Sequence, residues 1–177
     1  MGGALRLFFA LPLPADLRGA LGRWQRAQPG IGGWSRPEGL HLTQAFLGAR
    51  APEGLAQLEA IGEAVAAGHR AFVLRTAALG AFPDPGRARV LWLGLAPSPD
   101  LERLSANLRE ALATAGEAFD PKPFRPHLTL ARFRRASPVD MLLPPAPAGF
   151  TAAALVLFES QPQGCYSPVR TWDLDRT

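Results

Sequence analysis

Arg125-Pro126-His127-Leu128-Thr129-Leu130-Ala131-Arg132 has an earlier echo in the chain, Leu40-His41-Leu42-Thr43-Gln44-Ala45-Phe46-Leu47-Gly48. Both stretches set His-Leu-Thr inside a short apolar run that reads as a β-strand. Side chains alternate between the two faces of a strand, so each histidine shares a face with the threonine two residues on, and the leucines go to the other. The chain has three histidines, and two of them occupy this setting. Packing alone does not account for that.

Working outward, the surroundings of the two stretches also match. Leu5–Leu11 reads as a buried strand closed by Pro12 and Pro14. Asp16–Gln28 follows with Leu17, Ala20, Leu21 and Trp24 at helical spacing, stopped by Pro29-Gly30-Ile31-Gly32-Gly33, and the loop Trp34–Gly39 leads to His41. In the second half, Val90–Leu95 reads as a strand. Ser98-Pro99-Asp100 then opens a helix with Leu101, Leu104, Leu108 and Leu112 as its stripe, and the loop Gly116–Phe124 leads to His127. Pro12 and His41 are 29 positions apart, Pro97 and His127 30. Between the halves the spacing predicts a helix from Pro52 to Gly68, a strand over Ala71–Leu79 and a turn at Pro83–Gly86. After them come a proline-rich connection around Pro144, Pro145 and Pro147, then strands over Ala152–Phe158 and Val169–Leu174.

A unit that cannot bury its own sheet face pairs with its duplicate. The expectation is therefore a duplicated, bilobal α+β fold occupying residues 1–177 as one domain. Two antiparallel sheets face a central cleft, helices lie outside, and a pseudo-two-fold axis relates the lobes. The cleft is expected to be lined by His41, Thr43, His127 and Thr129.

The bulk composition bounds the partners. One cysteine excludes an internal disulfide framework and points to a reducing, cytoplasmic setting. Apolar runs are too short to span a bilayer, and the apolar start from Met1 lacks the basic leader and cleavage site of a secretory signal. A net charge of +4 suits a polyanionic partner, although a bias to Arg, Ala, Gly and Pro, with Lys122 the only lysine, is also what a GC-rich genome produces. No feature demands more than a monomer.

Two imidazoles facing one another can hold one proton between them near neutral pH, supplying both a general base and a general acid. Threonine hydroxyls on the same face can donate to phosphate oxygens. That set needs no cofactor and no metal, and it suits phosphoryl transfer, best of all a cyclic phosphate whose departing oxygen stays tethered and needs only a proton. Neither His69 nor Asp84 stands at metal-ligand spacing to the pair. No nucleophile elbow, Walker loop or dinucleotide fingerprint occurs. Cys165, in the turn-like Gln163-Gly164-Cys165-Tyr166, reads as incidental, and His69, just past a helix end, as a surface residue supporting the helix C-terminus.

The paired His-x-Thr-x motifs, with Leu5-Arg6-Leu7-Phe8-Phe9-Ala10, His41–Gly48 and Pro126–Arg132, resemble the two-histidine phosphoesterase superfamily. Within it the chain is most similar to the bacterial and archaeal RNA 2′,3′-cyclic phosphodiesterases, also called 2′–5′ RNA ligases. Phe82-Pro83-Asp84-Pro85, Val90-Leu91-Trp92-Leu93-Gly94 and Leu157-Phe158-Glu159-Ser160 extend the likeness over nearly the whole chain. The resemblance implies a bilobal fold with a central cleft. It also implies metal-independent opening of a 2′,3′-cyclic phosphate at an RNA end, or in a 2′,3′-cyclic nucleotide, to a 2′-phosphate, with reversible 2′–5′ ligation in some members. By the same resemblance His41 protonates the leaving 3′ oxygen and His127 activates water, while Thr43 and Thr129 hold the phosphate. The near symmetry of the motifs leaves the opposite assignment of acid and base open.

Arg132 matches an arginine that follows the second motif and contacts phosphate or nucleotide. Strand alternation puts it on the face opposite His127, so it reaches the cleft only where the strand ends or bends. Arg125 has the right parity, with Pro126 disturbing it. Gln44 departs from the family's apolar residue on a face it is expected to share with Leu42 and Phe46, where a buried amide must find partners. Two readings compete with RNA-end hydrolysis. In one the same site acts on a small cyclic nucleotide, an ADP-ribose cyclic phosphate or a 2′–5′ oligonucleotide; in the other the protein is a non-catalytic module that binds RNA ends. Trp34, Phe124 and Tyr166 are candidates to stack on a base but cannot be placed from sequence.

Overall fold

A computed structural model of the chain describes residues 3–28 and 30–175; Met1, Gly2 and Pro29, the proline expected to stop the first helix, lie outside the described residues. The elements follow in the order β1 (Leu5–Pro12), α1 (Ala15–Arg26), β2 (His41–Arg50), α2 (Leu55–Ala67), β3 (Phe72–Phe82), β4 (Ala88–Leu95), α3 (Pro99–Thr114), β5 (His127–Ser137), β6 (Gly149–Ala152), β7 (Ala154–Gln161) and β8 (Cys165–Asp173). They form two four-stranded antiparallel sheets, β2-β1-β7-β8 and β5-β4-β3-β6. The expected α+β architecture is present: β1-α1-β2 and β4-α3-β5 are the two copies, and each histidine opens the edge strand of its sheet.

The helices follow from local chemistry. Ser98 Oγ accepts from the Leu101 amide at 3.3 Å and caps α3, Pro99 fills its first position, and Leu101, Leu104, Leu108 and Leu112 are fully buried beneath it. Helix α2 lies against β7, β8 and α3, with Gly62 letting the Trp172 indole pack directly on its backbone. Helix α1 is tied to the second half: the Gln25 amide donates to Leu130 O at 3.2 Å and the Trp24 indole N–H to Leu143 O at 3.1 Å.

Two expectations about strands change. The run expected over Ala152–Phe158 is two strands, because the chain changes sheets within it. Ala152 pairs with Phe72 in the second sheet, while Ala154 pairs with Asp173 in the first. The last strand begins at Cys165 rather than Val169, so the turn expected at Gln163–Tyr166 lies instead at Pro162–Gly164, the tip of the β7–β8 hairpin, and Cys165 and Tyr166 are paired in β8.

Both histidine strands also carry a β-bulge three residues past the histidine. In β2, Thr43 pairs with Ala10 and Ala45 with Phe9, leaving Gln44 without a partner; in β5, Thr129 pairs with Trp92 and Ala131 with Leu91, leaving Leu130 unmatched. An extra residue reverses the facing of everything after it. Phe46 therefore pairs with Phe8, on the cleft face with Thr43, not with Leu42 behind the sheet. Arg132, paired with Val90, likewise shares the face of Thr129.

Each bulged edge is covered from the opposite half. Ser35 N and the Gln25 amide both donate to Leu130 O, at 2.8 and 3.2 Å, and Arg132 N donates to Gly33 O at 2.9 Å; Asp120 N donates to Phe46 O at 2.9 Å on the other side. The edges are thus paired rather than left as templates for aggregation. Gly33 has φ +74°, and a Cβ there would stand 2.3 Å from Arg132 O. Gly33→Ala is expected to lower stability by roughly 1–3 kcal/mol, through left-handed strain and overpacking. Urea denaturation of that variant, with Gly32→Ala as the neighbouring control, measures it.

Candidate active site

The sheets meet along a cleft into which His41, Thr43, His127 and Thr129 all project, together with Arg132 and Phe46. Both imidazoles are oriented alike. His41 Nδ1 lies 2.7 Å from Gly39 O, and His127 Nδ1 2.6 Å from Arg125 O. A carbonyl only accepts, so each Nδ1 carries the hydrogen, and each neutral ring presents Nε2 to the cleft as a lone pair. Thr43 Oγ1 is 3.1 Å from His41 Nε2, where its hydroxyl donates to the neutral ring.

The two rings differ in surroundings. His41 is half-buried by its own surface, but Phe8, Phe158 and Tyr166 wall it in, with ring centroids at 4.8, 6.1 and 4.9 Å. Burial pushes its pKa below the ordinary histidine value. The Gly39 hydrogen bond opposes that shift, and the charges of Arg132 and His127 add to it. His127 sits at the more open side, with Trp92 at 6.2 Å and Phe82 at 6.0 Å.

The cleft has two recesses that share Thr43, Phe46, His127, Thr129 and Arg132. One, of about 260 Å³, is lined by Gly33, Trp34, Ser35, Arg36 and Tyr166; the other, of about 470 Å³, by Phe82, Arg109, Lys122, Phe124 and Arg125. The stacking candidates are therefore all at the cleft, Trp34 and Tyr166 in the smaller recess and Phe124 in the larger. Phe46, which sequence parity sends to the opposite face, has 39% of its surface exposed here and stacks on the buried Phe8 at 5.4 Å. Phe46 and Arg132 occupy equivalent places in the two repeats, each five residues past its histidine, so the pseudo-symmetric site has an aromatic ring on one side and a guanidinium on the other. Arg125 contributes its carbonyl to His127 and its exposed side chain to the larger recess.

Other expectations resolve less simply. His69 is not a surface residue: it is 8% exposed, and Asn107 Nδ2 donates to its Nε2 at 3.1 Å, with burial lowering its pKa. The burial arises because α3 crosses the end of α2 at that point. Gln44 is 2% exposed; its amide nitrogen reaches Leu42 O at 3.2 Å, while Oε1 has no partner among the described residues. Cys165 Sγ accepts from the Arg36 guanidinium at 3.4 Å. Among the described residues no group of three or more His, Cys, Asp and Glu side chains stands together as a metal site would need. No helix among the described residues is long and apolar enough to cross a membrane.

The depressed pKa of His41 has a consequence for folding. Between that lowered value and about 6.5 the unfolded chain binds more protons at this residue than the folded one, so stability rises with pH in that window and is lost as pH falls through it. His69 adds to the same slope. Denaturant midpoints between pH 5 and 7 are expected to show a shallower slope for His41→Asn than for the unmodified protein; an unchanged slope counts against a perturbed His41.

Comparison with known proteins places this arrangement. The sequence model of the 2′-5′ RNA ligase superfamily matches residues 13–163. The RNA 2′,3′-cyclic phosphodiesterase of Thermus thermophilus is 36% identical over 175 residues, covering 90% of this chain and 85% of its own. That of Escherichia coli K12 is 32% identical over 181 residues, covering 96% of each. The crystal structure of E. coli LigT in apo form superposes with a TM-score of 0.82 at 30% identity, covering 99% of this chain and 100% of that one. LigT has also been crystallised with 3′-AMP and with phosphate, at TM-scores of 0.81 and 0.78. With its doubled sheet, paired histidines and a match over most of its length, the chain belongs to the 2′-5′ RNA ligase superfamily.

Proposed function

We propose that the protein is an RNA 2′,3′-cyclic phosphodiesterase that opens a terminal 2′,3′-cyclic phosphate to a 2′-phosphate by acid–base catalysis between His41 and His127, without a metal. The observation that carries this reading is the shared orientation of the two imidazoles, each with Nδ1–H held by a carbonyl and Nε2 turned to the cleft, over one cavity containing two threonine hydroxyls and Arg132. The curated activity of the relatives and the 3′-AMP and phosphate complexes of LigT support it.

In the reaction His127 Nε2 takes a proton from water as its oxygen attacks phosphorus; the P–O3′ bond breaks, and His41 Nε2–H delivers its proton to O3′. Thr43, Thr129 and Arg132 hold the non-bridging oxygens, where negative charge accumulates. The burial that lowers the His41 pKa is opposed by the phosphodiester charge set against it, which favours the protonated ring. The larger recess, with Phe46 facing Arg125 and Phe82, accommodates the terminal nucleoside. The same step with a ribose 5′-hydroxyl in place of water as the nucleophile forms a P–O5′ bond as P–O3′ breaks, and gives a 2′–5′ linkage.

His41→Ala and His127→Ala are each expected to reduce turnover of a 2′,3′-cyclic nucleotide by about 10²–10⁴-fold, with EDTA leaving the unmodified protein's rate unchanged. Near-normal turnover in either variant defeats the mechanism. A phosphodiester with a p-nitrophenolate leaving group needs no acid, so on that substrate only His127→Ala is expected to keep its full defect. The reverse pattern would exchange the two roles.

A further inference from the structure

Taken with the cyclic-phosphodiesterase reading above, the larger recess also points to the length of the substrate. At about 470 Å³ it falls in the roughly 300–1,000 Å³ range that buries a drug-sized ligand, whereas the smaller recess, at about 260 Å³, does not. Its lining alternates aromatic rings with cations. Beyond Phe46, Phe82 and Arg125 come Phe124 and Lys122, with Asp120 the only carboxylate. Aromatic faces beside a tract of positive charge are how single-stranded nucleic acid is held, bases stacking while the backbone follows the charge.

The segment bearing Lys122 and Phe124 is braced. Arg109 Nη2 donates to Asp120 O at 3.3 Å and to Lys122 O at 2.8 Å, its guanidinium lies 4.8 Å over the Phe119 ring, and Asp120 N is bonded to Phe46 O. Lys122 is thereby held at the mouth of the recess with its side chain 83% exposed, touching only the Asp120 carboxylate, at 3.2 Å. It is the one lysine among 19 basic residues, and its flexible point charge suits a phosphate of variable position. A recess of about 310 Å³ beyond Tyr166 lacks this character: its one cation, Arg18, already donates to Glu38 O at 3.4 Å, beside the Glu38 carboxylate.

We propose that Lys122 and Phe124 form a second nucleotide subsite, Phe124 stacking the base that precedes the reacting end and Lys122 meeting the phosphate between the two nucleotides. RNA strands are then preferred to isolated cyclic mononucleotides.

Fluorescence titration tests this, using a ribo-oligonucleotide that ends in a 2′-phosphate and a 2′-phosphate mononucleotide as the second ligand. The unmodified protein is expected to bind the oligonucleotide roughly tenfold more tightly, and Phe124→Ala and Lys122→Glu each to remove most of that ratio. Lys122→Glu, a change at an exposed side chain, also lowers the salt dependence by about one phosphate contact, a slope of ~0.7. Thr171→Trp, which fills the recess beyond Tyr166, leaves the ratio intact. Equal affinities in the unmodified protein, a ratio that survives both recess variants, or one lost only in Thr171→Trp overturns the proposal. The readout is binding, so a protein that shows this preference yet opens no cyclic phosphate defeats the catalytic reading and not the subsite.

Discussion

The bulge three residues past each histidine is the constraint on which the site depends. A regular strand beginning His-x-Thr would turn its sixth residue away from the cleft, and the site would lose Arg132 on one side and Phe46 on the other. With Gln44 and Leu130 each taking an extra place, both residues swing to the cleft side. A bulge leaves backbone groups unmatched, and these must be satisfied if they are to stay buried. The Leu130 carbonyl is met by Ser35 N and the Gln25 amide. Partners from the first repeat thus fix the geometry of the second, and the cleft and the join between the repeats are one construction.

The two repeats differ where the proposed chemistry requires it. A symmetric pair of imidazoles has no preferred direction, whereas hydrolysis distinguishes the water side of phosphorus from the leaving side. Closer aromatic walls around His41 than around His127, and Phe46 opposite Arg132, break that equivalence. The depressed pKa of His41 is the electrostatic record of the same difference.

Much of this was readable from residues alone. The repeat, the two-lobed α+β plan, the Ser98 cap and the His–Thr quartet all rest on local periodicity and spacing, which a sequence carries directly. What escaped was non-local. Alternation counted along His127–Arg132 misplaced Arg132, and along His41–Phe46 misplaced Phe46, because the extra residue is defined by the partner strand. The switch of sheets at Ala153 and the burial of His69 against Asn107 depend on how distant elements cross. Tyr166 is a stacking candidate that no local pattern places; it reaches the cleft because the β7–β8 hairpin sets its ring against His41. The unpartnered Gln44 Oε1 is consistent with the misfit its sequence position suggested, though in a bulge instead of a regular strand.

The change of sheets between β6 and β7 bears on how the molecule is made. β1 is sandwiched between β2 and β7, so it gains its second neighbour only after all four strands of the other sheet have been made. The β5-β4-β3-β6 sheet, by contrast, is contiguous in synthesis and can close while the tail is still being added. Until then β1 presents an unpaired flank of Phe8 and its neighbours, open to mispairing. The lobe translated first is the lobe finished last.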